Sequence, residues 1–92
     1  MGPNQYEVTT SLVRRLIDER KEFFLGGRGI GCKITPDKYH NTWVIYFDRA
    51  RLTFYADAIK VEGGKILFTV DGGLSGHGEV ELAHYLKVTV VW

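Results

Sequence analysis

Acid–base or metal chemistry in this sequence would have to be built from three histidines, one cysteine and scattered carboxylates. His40, His77 and His84 share no helical or strand spacing that would converge on one ion. Zinc typically takes about four ligands, and the single distant Cys32 does not complete a set. His77 sits between Gly76 and Gly78, with Ser75 and Glu79 as its only local partners for nucleophilic chemistry. Two residues of separation in a glycine-rich loop do not hold a nucleophile and a base in register. His77 therefore reads first as a solvated loop histidine. Asp57, Asp71, Glu79 and Glu81 could work in pairs only if strands bring them to a defined separation, which hydrolytic pairs require. Their places near strand ends read as solvated edges. No catalytic residue, metal or cofactor is expected, and the chain is not expected to be an enzyme.

The run Gly26-Gly-Arg-Gly-Ile-Gly31 has the look of a nucleotide loop. A dinucleotide loop follows a strand and opens a helix. These glycines follow a helical pattern and open an alternating one, so a helix stop and a flexible strand entry account for them. Cys32 lies between Ile30 and Ile34 in that alternation and reads as a small buried hydrophobe rather than a reactive thiol.

The elements that would position any site follow from periodicity. Residues 1–9 read as a lead-in. Thr9, Thr10 and Ser11 are candidate N-caps for a helix over 10–24, whose apolar stripe is Leu12, Val13, Leu16, Ile17, Phe23 and Phe24. Arg14 with Asp18 and Arg15 with Glu19 occupy the opposite face at ion-pair spacing. Gly26-Gly27 supplies the stop. Residues 29–92 then read as antiparallel strands. The stretch 42–70 is a meander of three aromatic and β-branched runs broken by two polar turns. A hairpin over Arg49-Ala50 pairs Phe47 with Leu52, Ile45 with Phe54 and Trp43 with Ala56. Its loop lacks the Gly or Asn of a tight turn, so a longer loop is expected. A hairpin over Gly63-Gly64 pairs Glu62 with Lys65, Val61 with Ile66 and Ile59 with Phe68. Leu52, Phe54 and Ala56 point inward at even positions, whereas Ile59 and Val61 do so at odd ones. One bent strand is required, with its bend near residues 56–58. Residues 71–78 read as a mobile glycine loop. Val80, Leu82, Leu86, Val88, Val90 and Trp92 share a final parity, broken near 83–85 by His84.

The predicted fold is α+β in one domain over 1–92: an N-terminal helix on a curled antiparallel sheet of about five strands. The order of helix and bent strands resembles Sm-like small barrels in outline, a likeness of fold alone.

Alternation leaves Val44, Tyr46, Thr53 and Tyr55 on the face away from the helix, with Arg49 and Arg51 at the hairpin tip. One helix covers one face of such a sheet. The second face is then either closed by curling into a barrel or open as an aromatic patch suited to a partner.

Composition narrows the function classes. The net charge is +1 from 12 basic and 11 acidic side chains, so nothing global calls for nucleic acid or an anionic membrane. Residues 1–51 are nonetheless basic and 52–92 acidic. No apolar run approaches a membrane span, no secretory signal opens the chain, and Tyr6 breaks the myristoylation pattern. A lone cysteine fits a reducing, cytoplasmic setting. The function expected is a small protein-binding module, self-associating or acting as an accessory or inhibitory protein of the sort phages encode. Its binding residues are Val44, Tyr46, Tyr55, Arg49 and Arg51, with His77 on a second loop. A single-stranded nucleic-acid binder using Tyr39, Tyr46, Arg28, Lys38, Arg49 and Arg51 is the alternative. A ligand pocket or enzyme around His77 and His84 ranks last.

Overall fold

The computed structural model describes residues 4–38, 41–70 and 76–91. Tyr39, His40, Asp71, Ser75 and Trp92 lie outside the described residues. The described residues form β1 (Asn4–Glu7), α1 (Thr10–Asp18), β2 (Phe23–Gly27), β3 (Ile30–Pro36), β4 (Trp43–Phe47), β5 (Leu52–Ala56), β6 (Ala58–Glu62), β7 (Lys65–Val70), β8 (Gly76–Glu81) and β9 (Lys87–Val90), with a 3-10 turn at Leu82–His84. Six strands make one antiparallel sheet in the order β1-β9-β2-β3-β4-β5, and β6-β7-β8 make a second.

The α+β class and the N-terminal helix stand as expected, but the sheet does not. Two sheets replace one of about five strands, and the larger ends at β1 and β5 without closing into a barrel. The cause is the bend in the middle run. Leu52–Ala56 belongs to the large sheet and Ala58–Glu62 to the small one, with Asp57 between them donating its N–H to the Thr69 carbonyl at 2.9 Å. The chain thus crosses over the inner face instead of continuing round it. Both hairpins keep the registers read from the sequence. The β4–β5 loop is longer than two residues, spanning 48–51, and Arg51 takes a left-handed conformation (φ 55°).

The helix is shorter than expected, ending at Asp18 rather than residue 24. Thr9 is its N-cap, its hydroxyl accepting from the Leu12 N–H at 3.2 Å. Val13 and Leu16 are fully buried. At the C-terminus, Lys21 N–H reaches the Leu16 carbonyl and Arg20 N–H the Ile17 carbonyl, with Arg20 left-handed at φ 52°. That is a Schellman closure with arginine where glycine is usual. The guanidinium explains the exception: it lies 5.1 Å from the Trp43 ring centroid and donates to the carbonyls of Asp37 and Thr42. Arg20 thereby holds the β3–β4 connection against the helix end. Phe23 and Phe24 do not extend the helical stripe. They alternate in β2, where Phe23 and Leu25 face the core and Phe24 faces out. The lead-in also contains a strand, β1, paired with β9.

The core lies between the inner face of the large sheet, the small sheet and α1. Phe47, Phe54 and Phe68 join the sheets, with ring centroids 5.6–6.5 Å apart. Phe68 covers Gly78 across the β7–β8 ladder so closely that an added Cβ would sit 2.2 Å from the ring. Leu52 at the start of β5 and Leu86 just before β9, both expected to face inward, are exposed.

Phe23→Ala and Leu16→Ala are each expected to lower unfolding free energy in urea by roughly 2–5 kcal/mol. Gly78→Ala should cost about 1–3 kcal/mol, because a buried Phe68 ring cannot give way. A Gly78→Ala variant as stable as the parent would contradict this packing.

Candidate functional site

The outer face of the large sheet is laid out by its ladder. One row of directly paired residues runs Gln5, Thr89, Phe24, Lys33, Tyr46, Thr53 across all six strands. The next row contains Thr35, Val44 and Tyr55. Tyr46 is 36% exposed, Tyr55 63% and Phe24 38%, and Val44 is half-buried between its neighbours. A shallow open depression of about 450 Å³ is lined by Lys33, Thr35, Val44, Tyr46 and Thr53. The structure thus brings Val44, Tyr46 and Tyr55 together on one open face. Of the two outcomes expected for this face, barrel closure is excluded.

Phe24, Lys33 and Thr35 belong to this face and were missed from sequence, because Phe24 was assigned to the helix. The signal was present in the alternation of Phe23, Phe24 and Leu25, followed by Arg28-Gly29. Those two residues have φ of 55° and 77°, the positive pair of a tight hairpin loop. Phe24 lies across two glycines: its ring is 2.6 Å from where a Gly31 Cβ would stand and 3.2 Å from that of Gly26. The lack of a side chain lets the ring rest on the backbone, and at Gly31 it also leaves room for the Asp48 carboxylate, 2.6 Å from where a Cβ would stand. Lys33 is held by Glu22 at 3.2 Å.

Arg49 and Arg51 are exposed at the β4–β5 tip, beyond the Phe47–Leu52 pair that follows Tyr46 and Thr53. This tip is tied to the neighbouring strand by Asp48. Its carboxylate accepts from the Gly31 N–H at 2.9 Å, and its own N–H donates to the Gly31 carbonyl at 3.2 Å.

His77 is not part of this face. It lies in β8 of the small sheet, opposite Thr69, and not in a loop as expected. The strand starts earlier than the glycines suggest because Gly78 is required beneath Phe68. A wide depression of about 780 Å³ on that side is lined by residues including Lys60, Leu67, Thr69, His77 and Glu79. His84 is beyond the far end of β8, so the two histidines do not share a site. Glu79 and Glu81 gather about Lys65 at 3.5 and 3.8 Å, a lysine-bridged cluster on an exposed surface. Among the described residues, no three of His, Cys, Asp and Glu come together as metal ligands. No described helix is long and apolar enough to cross a membrane.

Compared with family models, curated proteins and solved structures, the chain matches none.

Cys32 is fully buried in β3, as its place between two isoleucines implied. Burial, reinforced by the Asp48 carboxylate, pushes its thiol up to about 12. Burial, then Cys32 and Asp48, raise the Tyr85 phenol to about 12 as well. A thiol held neutral is a poor nucleophile. In the folded protein at pH 8, Cys32 should resist a disulfide reagent that labels the urea-unfolded chain readily. Both groups have raised folded-state pKa values, so their share of stability is complete below pH 9. It should fall as pH climbs from about 9 towards 12, where the unfolded chain ionises first. Cys32→Ala should flatten that fall. Equal labelling of folded and unfolded protein would contradict the burial.

Proposed function

We propose that the protein is a small non-catalytic binding module that engages another protein through the outer face of its six-stranded sheet. The observation carrying this reading is the open face that exposes Tyr46, Tyr55 and Phe24 and holds a shallow depression lined in part by Tyr46, over which no described element of the chain packs. Tyrosine offers a large apolar area with a polar tip and suffers little entropic loss on docking. Separation of the candidate acid–base groups supports a non-catalytic role: His77 lies near the start of β8 and His84 beyond its far end, and Glu79 and Glu81 surround a lysine. The role fits a self-associating protein or an accessory or inhibitory one. A lone buried cysteine fits a reducing, cytoplasmic setting.

The test is the double variant Tyr46→Ala with Tyr55→Ala. Thermal melting should change little, since both side chains are exposed. Self-association measured by sedimentation, or binding to a protein retained from the native host, should weaken roughly tenfold or more. A large loss of stability with unchanged binding would make the tyrosines structural. Unchanged melting together with unchanged mass and binding would remove this face as the functional surface.

A further inference from the structure

The arginines at the hairpin tips are placed where the backbone does not favour them. Only Arg20, Arg28 and Arg51 among the described non-glycine residues have positive φ, at 52°, 55° and 55°. Glycine or asparagine occupies such positions with less strain. Arg20 is compensated by Trp43 and two carbonyls. Arg28 and Arg51 have no such compensation within the described chain. Strain kept without a local return is a reason to look for a function.

The topology puts these residues together. The β2–β3 loop, with Arg28, and the β4–β5 loop, with Arg49 and Arg51, are alternate turns of one meander and so lie at the same end of the sheet. The paired hydrogen bonds between Asp48 and Gly31 hold the loops side by side. Lys87 joins them, since β9 begins there opposite Gly26. The side chains of Arg28, Arg49, Arg51 and Lys87 are all exposed, and none of these side chains has an ion pair or hydrogen bond among the described residues. Of the other described Lys and Arg side chains, only Lys38 shares that state, in the β3–β4 connection at the opposite end. The Asp48 carboxylate at this end is engaged by a backbone N–H. The basic rim borders the aromatic face directly, because the Phe24 ring leans over Gly26 and Gly31 between them.

We propose that this end of the sheet is an acidic-group docking rim: the protein partner of the aromatic face sets a cluster of carboxylates over Arg28, Arg49, Arg51 and Lys87 while its apolar side chains cover Tyr46 and Tyr55. The inference rests on the aromatic face being the binding surface. A protein fits the charge layout better than a nucleic-acid strand does. A strand carries a phosphate at every nucleotide and needs cations along its track. Here the cations stand at one rim, and Lys33 on the face is already held by Glu22.

The experiment is an amide NMR titration with a short poly-L-glutamate peptide and, separately, with an oligothymidylate of matched charge. Poly-L-glutamate should shift the amides of 28–31 and 48–51 saturably, and added salt should reverse the shifts. The variant Arg28→Gly with Arg51→Gly should bind the peptide roughly tenfold more weakly. It should melt no lower than the parent, because glycine relieves the left-handed backbone. A merely structural role for these arginines would lower the melt and leave the titration alone. Tyr46→Ala with Tyr55→Ala should keep the poly-L-glutamate response, so failure of the rim and failure of the aromatic face are told apart. Absence of saturable shifts with the peptide, or retention of them in the glycine variant, would overturn the proposal. Tighter binding of the oligothymidylate with shifts spreading over Phe24 and Tyr46 would replace the protein partner by single-stranded nucleic acid.

Discussion

Everything in this fold depends on the bend at Asp57. The run from Leu52 to Val61 must bury Phe54 and Ala56 in its first half, and Ile59 and Val61 in its second. A straight strand cannot do this, because its side chains alternate strictly. The Asp57 N–H bonded to Thr69 anchors the change of direction. From that point the chain leaves one sheet and starts the next, carrying Phe68 to where it meets Phe47 and Phe54. The second sheet then covers much of the inner face of the first. A helix of nine residues suffices to fill what remains.

The same bend decides what is left open. Because the second sheet and the helix both go to the inner face, no described element covers the outer one. That face is not simply polar. It carries Phe24 and Tyr46 on inner strands and Tyr55 on the edge strand β5, and the Phe24 ring rests over Gly26 and Gly31. A sheet that exposed these rings without use would risk adventitious pairing. The polar tips of the tyrosines, the Lys33–Glu22 pair and the charged hairpin ends moderate that risk while keeping the apolar area available.

The meander was legible in the sequence because its signals were local and agreed with one another. Gly63-Gly64 closed one hairpin, matched sizes set the register of the other, and the parity switch marked the bend. The helix end was not legible. Gly26-Gly27 looked like the stop, whereas the left-handed residue is Arg20, stabilised by Trp43 from a distant strand. No local pattern announces that contact. Losing that boundary hid β2, and with it Phe24 and the central row of the outer face. The start of β8 was hidden for a related reason. Glycines around His77 read as a loop, but Gly78 is a strand residue that makes room for a ring across the ladder. Val44, Tyr46 and Tyr55 were found because alternation alone placed them outward. That Arg28 shares an end with Arg49 and Arg51 required the topology.

The central claim is that the outer face is uncovered and presents its tyrosines to solution. Photochemically induced nuclear polarisation reads this directly, since a dye in water polarises only those tyrosine rings it can touch. Tyr46 and Tyr55 should give strong signals, whereas Tyr85, buried in the core, should give none. Silence from Tyr46 and Tyr55 in the folded monomer would mean that the chain covers this face itself, and the account of an open binding surface would be wrong.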